Sequence, residues 1–138
     1  MPYGVKMRQK SIEKLKLASK TIGFALLSSI GISSTWIMTF IKAWPFSALI
    51  IVTVFLNIIT GLMLANIKAS FVHAILTAVF SMTIVTYYLS YPAFIFLKYE
   101  LLKNLFVEAI INRNMVYFLI VILTGFPPAI IGGLLGRR

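Results

Sequence analysis

The chain has no cysteine and no aspartate, only three glutamates (Glu13, Glu100, Glu108) and one histidine, His73. Without cysteine there is no disulfide, thiolate metal site or cysteine nucleophile. A lone histidine cannot build a metal site, and no carboxylate pair lies near it in the sequence. Gly-rich phosphate loops, Gly-x-Ser-x-Gly and His-Glu-x-x-His are also missing. No enzymatic constellation is present, and a non-catalytic protein is expected. Charge is scarce overall: 12% of the 138 residues are charged, against about a quarter in soluble domains. A proton relay or cation-driven antiporter needs an acid at mid-depth, and no long apolar run contains one.

What fills the chain instead is apolar sequence, 60% of all residues. Uncharged runs cover Thr21–Ile41, Ala43–Ile67, Ala69–Leu97 and Asn114–Gly136. Each exceeds the roughly 20 residues a helix needs to cross the hydrocarbon core. The runs are continuous rather than alternating, which excludes the pattern of a β-barrel strand. The first run is also longer than the apolar stretch of a cleaved signal peptide. The expected fold is an all-α integral membrane protein: a four-span transmembrane helical bundle with spans at about 21–41, 46–65, 71–91 and 115–135. The link Lys42-Ala43-Trp44-Pro45 is short enough to force an antiparallel hairpin. Trp44 suits an interfacial belt, and Pro45 suits a helix start.

Two segments lie outside these spans. Residues 1–20 form a basic lead-in, read as a cytoplasmic amphipathic helix that runs on into the first span. Residues 93–113 repeat apolar side chains at Leu102, Leu105, Phe106, Ala109 and Ile110, with Glu100, Lys103, Asn104 and Glu108 mainly opposite. That pattern predicts an interfacial amphipathic helix between spans three and four. Pro92 and Pro127-Pro128 are expected to kink or break their helices.

Net charge is +10, and its distribution gives an orientation. With four spans, nine Lys and Arg lie on the side of the termini and four on the other. The positive-inside rule then places both termini in the cytoplasm, with the plasma membrane as the expected location. Lys6, Arg8, Lys10, Lys14, Lys16 and Lys20 read as an orientation signal and a contact to anionic lipid rather than to nucleic acid.

The polar residues inside the runs are the candidate sites. Asn57, with Thr53 and Thr60 at i−4 and i+3, shares one face of span two. An amide in hydrocarbon must face another helix or a watery cavity. Small residues at Ala25, Ser29 and Ser33, at Gly61 and Ala65, and at Gly132 and Gly136 mark faces where helix backbones pack closely. His73 is either a hydrogen-bonded residue near a helix start or a haem ligand. The aromatic cluster Tyr87, Tyr88, Tyr91, Phe94, Phe96, Tyr99 and Phe106 forms either an interfacial girdle or a lipid or quinone pocket. A short echo links Ala25–Ile30 with Ala74–Val79; six residues do not establish a duplication.

The expected function is an accessory or structural subunit of a larger membrane complex, respiratory or transport-related, with no cofactor. Its partners would be membrane lipids and other transmembrane subunits, or further copies of itself. The alternatives are a small homo-oligomeric channel or transporter using the polar face of span two, and a haem- or quinone-binding membrane anchor using His73.

Overall fold

The computed structural model describes residues 3–137, with side chains from Gln9 onward. It contains four helices: α1 (Tyr3–Phe40), α2 (Phe46–Leu64), α3 (Ile67–Phe96) and α4 (Glu100–Leu135). Each is long and apolar enough to cross a bilayer. Lys6 and Arg8 have side chains outside the described set, and Arg138 lies outside the described residues altogether. Of the other lead-in bases, Lys10, Lys14, Lys16 and Lys20 are all exposed along α1.

The links are short because local chemistry ends each helix sharply. Pro45, extended at φ −69°, stands before α2. Ala65 closes α2 in the left-handed region at φ 48°, a conformation that suits glycine better. Asn66 opens α3 by accepting the Ala69 N–H on its side-chain oxygen at 3.2 Å.

Packing arranges the helices as a square whose sides are α1–α2, α2–α4, α4–α3 and α3–α1. Chain reversals at each link make α1 and α3 neighbours pointing the same way. Residue order agrees: Ser28 meets His73, and Ser29 meets Ser81. The same holds for α2 and α4, where Asn57 meets Gly125 and Leu62 meets Gly136. The two hairpins therefore lie side by side in the same sense.

Burial is inverted relative to a water-soluble domain. Ser28, Ser29, Ser33, Thr53, Asn57, Thr60, His73, Thr77, Ser81 and Asn114 are buried, while Leu27, Ile51, Phe55 and Leu123 are among many large apolar side chains left exposed. Lipid tails satisfy an apolar exterior, so the interior is free to take small and polar residues. A compact apolar core remains around Ile32, Trp36, Leu49, Ala78, Val85 and Val121.

The separate interfacial helix expected at about 93–113 is not formed. Residues 93–96 finish α3, a three-residue link follows, and residues 100–113 are the opening turns of α4. The amphipathic stripe is real, but its phase runs on through Ile110, Asn114 and Val121, all buried. No proline or glycine between Glu100 and Thr124 interrupts the helix. Pro92, Pro127 and Pro128 are likewise carried inside continuous helices. Pro92 comes only one turn before the end of α3. Pro128 and Ala129 are buried in the bundle, so neighbouring helices hold that stretch in place.

Candidate functional site

At 1.5 Å per residue, α2 is about 28 Å long, α3 about 45 Å and α4 about 54 Å. The extra length of α3 and α4 carries both beyond the turn that joins α1 to α2. Contacts fix the level of that turn: Phe40, at the end of α1, lies against the Arg113 guanidinium at 4.8 Å. Phe40 also shares a cavity with Leu89, Phe106, Ala109 and Ile110, so residues from about 91 to 105 project past it as an α-hairpin. We call this the aromatic end, and the opposite end, which carries Lys14, Lys20, Lys68 and Arg137, the basic end.

The polar centre of the bundle is built around His73. Its ring is fully buried and faces three helices. Nε2 lies 3.4 Å from the Ser28 hydroxyl of α1 and 3.3 Å from that of Thr77, one turn along α3. Nδ1 lies 3.5 Å from the Thr60 hydroxyl of α2. These are long contacts, at the outer edge of hydrogen bonding. Thr60 already donates its hydrogen to the Leu56 carbonyl at 2.7 Å, so toward His73 it can only accept. The roles follow the tautomer: with the ring proton on Nδ1, Nε2 accepts from Ser28 or Thr77. A haem iron would have to displace both contacts on Nε2.

One turn away on α2, Asn57 is buried against Gly125 of α4. A Cβ added at Gly125 would sit 3.1 Å from the Asn57 amide nitrogen. The amide donates to the Thr53 carbonyl at 2.8 Å. Among the described residues, Asn57 Oδ1 and Thr53 Oγ1 have no hydrogen-bond partner. Most other interior hydroxyls turn back on their own helix: Ser29, Ser33, Thr35 and Thr39 all donate to carbonyls three or four residues earlier. Thr53, Asn57, Thr60 and His73 thus form a contiguous polar patch, enclosed by one chain rather than lying on an outer face.

The small-residue faces meet each other. A Cβ on Gly61 would strike the Ala129 carbonyl at 2.5 Å and the Gly133 nitrogen at 3.0 Å, and one on Gly132 would strike the Ile58 carbonyl. A Cβ on Gly136 would strike the Leu62 carbonyl. Gly61, Gly132 and Gly136 therefore form one seam where α2 and α4 touch backbone to backbone. Ala65 stands at the end of this seam as the α2 cap. Ala25, Ser29 and Ser33 lie buried on α1, where Ser29 offers its carbonyl to Ser81 of α3 at 3.3 Å.

Two interior residues carried no particular weight in the sequence. Asn114, fully buried, donates to Thr86 at 3.1 Å and ties α4 to α3. Trp36 is fully buried and stacks on Tyr117 at 5.8 Å, which also meets Phe46 edge-on at 5.8 Å. The Asn at 114 was visible, but its two neighbours Asn112 and Arg113 made it read as part of a boundary.

At the aromatic end the projecting hairpin leaves its apolar side chains bare. Phe96, Tyr99 and Leu101 are more than 70% exposed, and Leu102 and Leu105 more than half. Lys103 lies over Phe94 at 5.4 Å. No known protein family, characterised protein or solved structure matches the chain.

Proposed function

We propose that the chain is a four-span plasma-membrane protein with both termini cytoplasmic, serving as a non-catalytic supporting subunit of a larger membrane complex. The observation that carries this reading is the projecting α3–α4 hairpin. Crossing the bilayer does not require it, and among the described residues its Phe96, Tyr99 and Leu101 are largely exposed and its Leu102 and Leu105 half exposed. A helical arm with an exposed apolar face beyond the end of the bundle is a surface suited to a partner subunit. The glycine seam is spent on holding α2 to α4, so the arm, rather than the small-residue faces, is the contact expected to reach outward.

The test is gentle detergent extraction from the native membrane, followed by measurement of the native mass. A defined larger assembly that is lost on Leu105→Glu with Phe106→Glu is the expected result. A monomer of unchanged mass in both would refute it.

A second reading rests on the polar patch. The unpartnered Asn57 Oδ1 and Thr53 Oγ1 are groups that a small polar substrate or ion could use if α2 and α4 parted. Under this reading the chain is a small channel or transporter, and liposome flux should fall on Asn57→Leu. Unchanged flux would remove the assignment.

A further inference from the structure

A groove at the basic end runs between α1 and α3. Its lining comes from two parallel columns, one on each helix. On α1 the column is Lys14, Leu17, Ala18 and Ile22; on α3 it begins at Lys68 and continues through Val72 to Leu76. Each column carries one lysine beside mainly apolar residues, and Thr21 and Asn66 add two polar groups to the lining. From Lys14 to Ile22, and from Lys68 to Leu76, the rise is about 12 Å. The groove has a volume of about 520 Å³.

We propose that this groove binds one anionic phospholipid, with Lys14 and Lys68 holding the phosphate and the apolar floor taking the upper part of an acyl chain. Charge complementarity selects the head group. Two cations stand at the mouth, and no carboxylate lines the groove; Glu13, beside Lys14 in sequence, is outside the lining. The N-terminus of α3 opens at the same mouth and adds its partial positive charge. The flat apolar strip beneath the lysines selects a chain rather than a soluble anion. Lys14 and Lys68 are 54 residues apart in the chain and line one groove only because α1 and α3 run side by side in the same direction.

This site differs from a diffuse attraction of the basic lead-in for the membrane surface. A general field counts charges, whereas a site depends on which charges are removed. It rests on the chain lying in a membrane but not on the subunit reading, so a failure of either leaves the other open to its own test.

The experiment uses the full chain in mild detergent. Dioleoyl phosphatidylglycerol or dioleoyl phosphatidylcholine is added at equal concentration, and bound lipid is counted by native mass spectrometry. One phosphatidylglycerol should be retained in preference to phosphatidylcholine. Lys14→Gln with Lys68→Gln should weaken that retention about ten-fold or more. Lys10→Gln with Lys16→Gln removes the same charge outside the groove and should leave retention nearly unchanged. Ala18→Phe fills the floor from an exposed position and should weaken retention with no change of charge. Equal retention of the two lipids, or equal loss in the two double variants, would overturn the proposal.

Discussion

At the basic end α2 and α4 meet glycine to backbone, through Gly61, Gly132 and Gly136. Toward the aromatic end the same two helices are spaced by Tyr117, which packs against Trp36 of α1 and Phe46 of α2. The first kind of contact has no slack, because a backbone cannot rotate out of the way. The second is made of side chains that can change rotamer and share the strain. The two ends also differ in what they leave outside. The basic end keeps its lysines around a groove, while the aromatic end sends out a hairpin whose apolar surface the bundle does not cover. Rigidity is concentrated where the helices touch, and contact surface where they part.

The strongest way to break this comparison is to force a side chain into the seam. Gly132→Leu should destabilise the fold by about 3 kcal/mol or more, measured by SDS unfolding in mixed micelles. Gly23 is the control, because a Cβ there meets nothing within 4 Å. Gly23→Ala should cost nothing and gain up to about 1 kcal/mol from helix propensity. Equal effects at the two glycines would show that the seam is not the tight contact. Next comes the His73 centre. His73→Leu should cost about 1 kcal/mol, the scale of interhelical hydrogen bonds in membrane proteins. His73→Gln, which keeps a donor and an acceptor, should recover part of it in the same assay.

Smaller effects sharpen the contrast from the other side. Ala65→Gly relieves a left-handed cap and should stabilise by about 0.5–1 kcal/mol, read as a shift of the unfolding midpoint upward. The smallest change is expected on the hairpin: Leu105→Glu should alter stability by less than about 0.5 kcal/mol. A large loss there would mean that the hairpin is part of the packed fold and not a free contact surface.

Much of the architecture was readable without coordinates. The uncharged runs mark four apolar helices, and the spacing of Thr53, Asn57 and Thr60 puts them on one face of α2. The small residues at Gly61, Gly132 and Gly136 show where helices can approach. These are local properties, repeated at the period of the helix itself. The hidden features all join residues on different helices. His73 could be seen, but not that Ser28 and Thr60 meet its ring from α1 and α2. The stripe at Leu102–Ile110 could be seen, but not that it opens α4 and shares one helix with the last span, because Arg113 ends the charged stretch just before the uncharged run. In the fold Asn114 is buried against Thr86, and Arg113 lies over Phe40.

By itself, then, the sequence determined four helices long and apolar enough to cross a membrane. Long uncharged runs have a lower free energy as helices among lipid tails than as exposed chain in water, and a helix satisfies its backbone hydrogen bonds without help from other segments. Only the tertiary structure decided the partners. Which faces meet depends on how far each helix rotates and slides, and that is set where backbones can touch. The seam at Gly61 and Gly132 fixes α2 against α4, and the packing of α1 against α3 brings Ser28 to His73 and sets Lys14 and Lys68 along one groove.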